Sequence, residues 1–231
     1  MIVTASFARF GSAHLCIMAL TFIAPLVLSA ITCWDNSGAT ARIVGWFFVA
    51  FLVGSKIISL IVLHRDGQIT IESVLPMHLC DWAAIMVLIT FIHPNQWTYE
   101  LCYFWGLGGT LQALVTPDLP HESSRSQTAT FFALHGGVIA SLLYMTLGMR
   151  MRPVPISILR VLAWSTLYLG AAAAVNSMLG TNFGYLRAKP AQPSLMDYLA
   201  PWPFYIAELV LLAIAFVLVL YAPFFVADRL W

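Results

Sequence analysis

A histidine, a cysteine and an aspartate stand close together in "PMHLCDW", residues 76 to 82, at the head of an apolar run. A thiolate beside an imidazole is a recurrent nucleophile pair, and acyl transfer is its commonest chemistry. Pro76 suits the first turn of a helix, which puts His78 and Asp81 on one face, within reach of a shared hydrogen bond. Cys80 then points about 200° away from His78 around the helix axis, so a base for its thiol has to come from another element. His135, in "FFALHGGVIA", is the candidate, because it lies well inside an otherwise apolar segment and its two neighbouring glycines let a second backbone come close. On this reading Cys80 is the nucleophile, His135 the base, and Asp81 or His78 orients an acyl ester. The alternative is that His135 hydrogen-bonds across helices while Cys80 packs as a small apolar side chain.

Further polar groups interrupt the apolar runs. In "WTYELCYFWGLGGTLQALVTPD", Thr98, Cys102, Trp105, Gly109, Gln112 and Thr116 recur at steps of three and four, a stripe that lines a cavity or forms a seam between helices. Gln112 and Thr116 offer both donors and acceptors there. Glu100 opens the same segment, where the helix dipole favours a carboxylate as a cap. Tyr168 and Asn176 share a face further on. Arg187 and Lys189 follow Asn176 and Asn182 closely enough to hold a phosphate or carboxylate, or to serve as interfacial anchors. Lys56 and Glu208 are a possible ion pair between the second and last apolar segments.

The elements that must position these groups follow from composition. With 61% hydrophobic residues and 9% charged among 231, the chain lies far from the roughly one quarter charged of soluble domains. Seven apolar segments can be marked, at 13–33, 43–63, 76–93, 97–116, 128–148, 156–179 and 203–226. Each is long enough to cross a bilayer as a helix, and all are too long and continuous for barrel strands. The expectation is an all-α membrane protein, a bundle of about seven transmembrane helices in a single polytopic domain, 1–231. "GLGG" (106 to 109), "HGG" (135 to 137) and "GAAAA" (170 to 174) point to close helix contacts and make the fourth, fifth and sixth spans the expected centre. The connection from Gly180 to Pro203, with four prolines among aromatic and charged residues, reads as a folded cap over one mouth or as an interfacial linker.

The formal charge of +1 and the lack of a basic cluster give no field for nucleic acid, so membrane lipids are the expected partners and nothing sets an oligomeric state. Cys16, Cys33, Cys80 and Cys102 form neither a CxxC pair nor a zinc-like spacing, and no metal or organic cofactor is called for. The first apolar run exceeds a signal-peptide core and reads as a retained span. Lys and Arg divide almost evenly between the two sides; "RMR" at 150 to 152 favours a cytoplasmic C-terminus and an outside N-terminus.

"PMHLCDW", "ELCYFWGLGGTLQALVTPDL", "FFALHGG", "NSMLGTNFGYLRAKPAQPSLMDYL" and "PWPFYI", in that order from about Pro76 to Pro223, resemble the YwaF-like multi-span integral membrane proteins of bacteria. The resemblance implies a seven-helix bundle in the bacterial cytoplasmic membrane. It also implies a distant similarity to a eukaryotic transmembrane family to which phospholipid acyl transfer through a cysteine and a histidine is ascribed. That histidine falls on His135. Cys80 lies in the matching turn of the third helix; the other place for the thiol, beside the motif's histidine, holds Met77 here, and Cys102 is a further thiol on the neighbouring helix.

Two functions follow as expectations, with a structural or sensory subunit whose polar interior only fixes helix packing behind them. In the first, an acyl chain passes through Cys80, activated by His135, to a lysophospholipid whose phosphate Arg187 or Lys189 holds. In the second, His78, Gln112, His135 and Asn176 line a cavity that binds or transports a small solute or lipid headgroup.

Overall fold

A computed structural model describes residues 7–35, 37–120 and 123–230, the last without its side chain. Within them lie nine α-helices: α1 (Ser12–Trp34), α2 (Ala39–Arg65), α3 (Ile71–Val74), α4 (Leu79–Ile92), α5 (Gln96–Trp105), α6 (Leu111–Val115), α7 (Arg125–Leu147), α8 (Ser157–Leu179) and α9 (Tyr205–Leu230). No strand occurs among the described residues. Helices are the expected answer to hydrocarbon, where each backbone N–H and C=O must find its partner inside the chain. Six of the resulting segments are long and apolar enough to span a membrane, the α3–α4 pair counting as one. The seventh, α5 to α6, is joined by a π-helical turn at Gly106–Thr110 and reaches about 30 Å in all.

The third span departs from the sequence reading. It begins at Ile71, where Thr70 and Ser73 form a capping box, and breaks between Leu75 and His78 before resuming as α4. The break has a local cause: the residue before a proline is pushed out of the helical region, and Leu75 adopts an extended conformation (φ −75°, ψ 118°). Pro76 therefore lies outside the helix instead of in its first turn, and His78 takes the N-cap position.

The α5–π-turn–α6 span and α7 form the centre. Tyr99, Leu101, Cys102, Phe104, Trp105 and Leu114 of the former are buried against Val138, Ile139, Leu142 and Met145 of the latter. The glycines account for the close approach: a Cβ on Gly106 would stand 2.4 Å from Leu142 Cδ2, and one on Gly137 would stand 2.8 Å from both Leu52 and Phe51. α1, α2 and α4 pack around α7, whereas α8 and α9 lie to the other side. The sixth span, expected at the centre, is instead peripheral. In "GAAAA" only Ala172 is buried, and around Gly170 there is open space.

Candidate functional site: a polar cluster beneath a latched cap

The break before α4 decides what the cluster presents. His78, as N-cap, turns its ring onto Phe183 and Tyr185, at centroid distances of 5.0 and 6.2 Å. Only two amides of the first turn return to a carbonyl, those of Asp81 and Trp82, both to His78; the amides of Leu79 and Cys80 donate to no backbone carbonyl. A helix start leaves such N–H groups without a helical partner by construction. Tyr168 of α8 reaches across, its hydroxyl donating to the Met77 carbonyl at 3.2 Å.

Asp81 does not bond to the His78 side chain. It accepts from Lys56 Nζ at 3.0 Å, with the lysine 36% and the aspartate 18% exposed. Glu208 is engaged elsewhere, accepting the Ala200 amide at 2.7 Å, so the pairing of Lys56 with Glu208 is replaced by one with Asp81. An ion pair at this depth is what hydrocarbon demands of an ionisable side chain.

His135 joins the cluster from α7. Its Nδ1 lies 2.8 Å from the carbonyl of Phe131, and its ring stacks on that residue at 4.0 Å. A carbonyl can only accept, so Nδ1 carries the proton and Nε2 is left as the basic nitrogen. The three elements that carry Lys56, Cys80 with Asp81, and His135 are α2, α4 and α7, and each packs on the other two, so these side chains share one neighbourhood. No hydrogen bond joins Cys80 to His135. Among the described residues no three His, Cys, Asp or Glu side chains converge as a metal would require.

The connection between α8 and α9 is a folded cap over this cluster. Gly180 ends α8 in the left-handed conformation (φ 71°) that glycine tolerates. Asn176, 1% exposed, then clamps the returning chain: its amide donates to Phe183 O, and its oxygen accepts from Thr181 Oγ1 and the Phe183 amide. Two carboxylates from other spans tie the cap down. Glu72 accepts the Asn182 amide at 2.6 Å, and Asp118 accepts both the Tyr185 hydroxyl and the Gln192 amide. Burial, and after it the Asp118 carboxylate, pushes the Tyr185 phenol above its ordinary range. Arg187 donates to the Asn176 carbonyl and is otherwise exposed, while Lys189 donates to Leu199 O and lies over the Tyr205 ring.

The stripe along the fourth span does not face one cavity. Thr98 bonds to Thr90 on α4, Trp105 to Ser165 on α8, and Gly109, in the π-turn, abuts Leu79. Gln112 is half-buried, and its side chain has no hydrogen bond among the described residues. Glu100 is more than a cap. Fully buried, it accepts from Arg160 at 3.2 and 3.3 Å and from Gln96 at 2.9 Å. A small cleft of about 140 Å³, lined in part by Arg9, Ser123, Thr128 and Gln192, contains none of the cluster residues.

Sequence spacing had no means of finding Lys56 as the partner of Asp81, or Tyr168, Tyr185, Glu72 and Asp118, since each contact joins distant segments. No curated protein and no solved structure matches the chain. A family model does, over residues 9–221, so the likeness takes in the first two spans as well as the motifs from Pro76 onward. By that match the chain belongs to the TMEM164 family, a multi-span membrane family.

Proposed function

We propose that this protein transfers a fatty acyl group between membrane phospholipids through Cys80. The observation that carries the reading is the setting of the thiol: the first turn of α4, where the Leu79 and Cys80 amides return to no backbone carbonyl and a histidine with a free Nε2 belongs to the same cluster. A helix N-terminus favours a thiolate, and free amides beside it suit the oxyanion that forms when a carbonyl is attacked. His135 Nε2 takes the Cys80 proton as the sulfur attacks the donor ester. The ester C–O bond breaks, and the leaving lysolipid oxygen recovers that proton. An acceptor hydroxyl then gives its proton to His135 and attacks the thioester, which restores the thiol. Asp81, held by Lys56, balances the imidazolium, and Arg187 has further N–H groups for the acceptor phosphate. The cap faces the outside of a bacterial cytoplasmic membrane, with the "RMR" side cytoplasmic.

The test is intact mass in mild detergent after incubation with phospholipid, before and after neutral hydroxylamine. A fatty-acyl increment that hydroxylamine removes, lost in Cys80→Ala and much reduced in His135→Gln, is the expected result. Unmodified protein in all samples refutes it. A second reading, binding of a solute or headgroup, is favoured by the unpartnered half-buried amide of Gln112; ligand-induced stabilisation then disappears in Gln112→Ala and persists in Cys80→Ala.

A further inference from the structure

Cys80 is half-buried, yet it lies nine positions inside the apolar segment that runs from Ile71 to Ile92, within the hydrocarbon layer. At that depth an exposed surface meets lipid or an enclosed space. Toward the water the way is shut: Phe183 is fully buried over His78, and the cap is fastened through Asn176, Glu72 and Asp118. Toward the lipid the wall is thin. The main packing partners of α4 are α2, α5, the π-turn and α7, and those of α8 are α5, the turn at Phe183–Tyr185 and α9. Contacts fasten α8 to α5 near one membrane face, through Arg160 with Glu100 and Ser165 with Trp105. Beyond them Gly170, Ala171, Ala173 and Ala174 lie on the exposed outer face of α8, while Ala172 and Asn176, on the face of Tyr168, are buried. At the level of Cys80 the hydrogen bond from Tyr168 to the Met77 carbonyl joins α8 to the head of α4.

We propose that lipid reaches Cys80 sideways, its acyl chain passing between α4 and α8, and that the Tyr168–Met77 hydrogen bond latches this portal. The occupant follows from continuity: the gap opens onto the same apolar surface that the spans present to the bilayer, so what enters is a hydrocarbon chain and not a solute. Naming an acyl chain rests on the reading of Cys80 as acyl carrier; the route itself is testable without any transfer activity.

The protein is placed in phosphatidylcholine nanodiscs, where both faces meet water, and modification of the Cys80 peptide is followed by mass spectrometry with two reagents. One is a long-chain N-alkyl maleimide that partitions into lipid; the other is a sulfonated methanethiosulfonate confined to water. The expected result is labelling by the first and not by the second. Tyr168→Phe is expected to speed it by about fivefold, the population shift of one lost hydrogen bond. Labelling by the water-borne reagent at a similar rate overturns the proposal, as does labelling by neither. A rate that responds to Glu72→Gln and not to Tyr168→Phe also overturns it, because the cap is then the entrance. Failure here with a hydroxylamine-sensitive acyl mass intact discards the portal alone; the converse discards the acyl carrier alone.

Discussion

Arg160→Met isolates the one fully buried carboxylate of the fourth span. Glu100 is 1% exposed at its side chain and Arg160 27%, and they meet at 3.2 Å. Removing one partner of a buried pair costs about 3–5 kcal/mol because the other charge stays behind uncompensated. Partial exposure of the guanidinium admits water and brings the figure to the lower end, about 3 kcal/mol. Loss of the contact with the Trp97 ring, 4.7 Å away, adds about 0.5 kcal/mol at an exposed site. The methionine stem recovers about 1 kcal/mol by covering the same apolar surface. The net expectation is about 2–3 kcal/mol of destabilisation. Adding Glu100→Gln removes the stranded charge, so the double variant returns to within about 1 kcal/mol of the parent. The assay is reversible unfolding in mixed micelles of a mild detergent and dodecyl sulfate, read by circular dichroism. An Arg160→Met deficit within about 0.5 kcal/mol would mean that the pair behaves as a solvated surface bridge, and a double variant as unstable as the single would mean that charge is not the cause.

Three further outcomes follow. Asn176→Ala removes three hydrogen bonds that fold the cap, so amide exchange over 180–199 accelerates by the equivalent of about 2–3 kcal/mol while α7 stays protected. Gly137→Ala forces Leu52 and Phe51 aside and lowers stability by about 1–3 kcal/mol, measurable as a lower melting temperature in detergent. The Asp66 carboxyl is held below its ordinary value of 3.8, first by Arg65 and then by the Ser124 hydroxyl. A lowered folded value means that its contribution is complete above the unfolded value and is lost as pH falls through the folded one. Exchange at 66–70 and 124–128 therefore rises in acid below the ordinary carboxylate range, and Asp66→Asn removes that dependence.

The bundle was legible because hydrocarbon leaves the backbone so few choices. Seven apolar runs become seven spans, and the ends shift by a few residues where caps act, as at Thr70 and Ser124. Proline in "PMHLCDW" was visible, but its effect depended on which neighbour yielded. Leu75 left the helix, and with it the expected bond between His78 and Asp81 disappeared. That Lys56 meets Asp81 is a matter of relative depth, which hydropathy locates only to within a turn or so. The cap announced itself through its prolines, whereas its fastenings to Glu72 and Asp118 are long-range pairings without a local signature. The misplaced sixth span shows the limit of small residues as a signal: they permit close approach, and on α8 that permission is mostly not taken up.

The π-turn at Gly106–Thr110 gives the central span a tolerance of length that an uninterrupted helix lacks. Such a turn accommodates one residue more than an α-helical turn. Deleting a single residue there, Gly108 for instance with open space at its Cβ position, would leave a continuous α-helix. Five residues in the wider turn and four in an α-helix carry the chain through nearly the same angle, so Leu111 to Thr116 would keep their orientation against Gln96 to Trp105. Leu114 would stay buried. The same deletion inside a regular helix would swing everything beyond it by about 100°, so the π-turn is the place in this span where a change of length by one residue is expected to be absorbed.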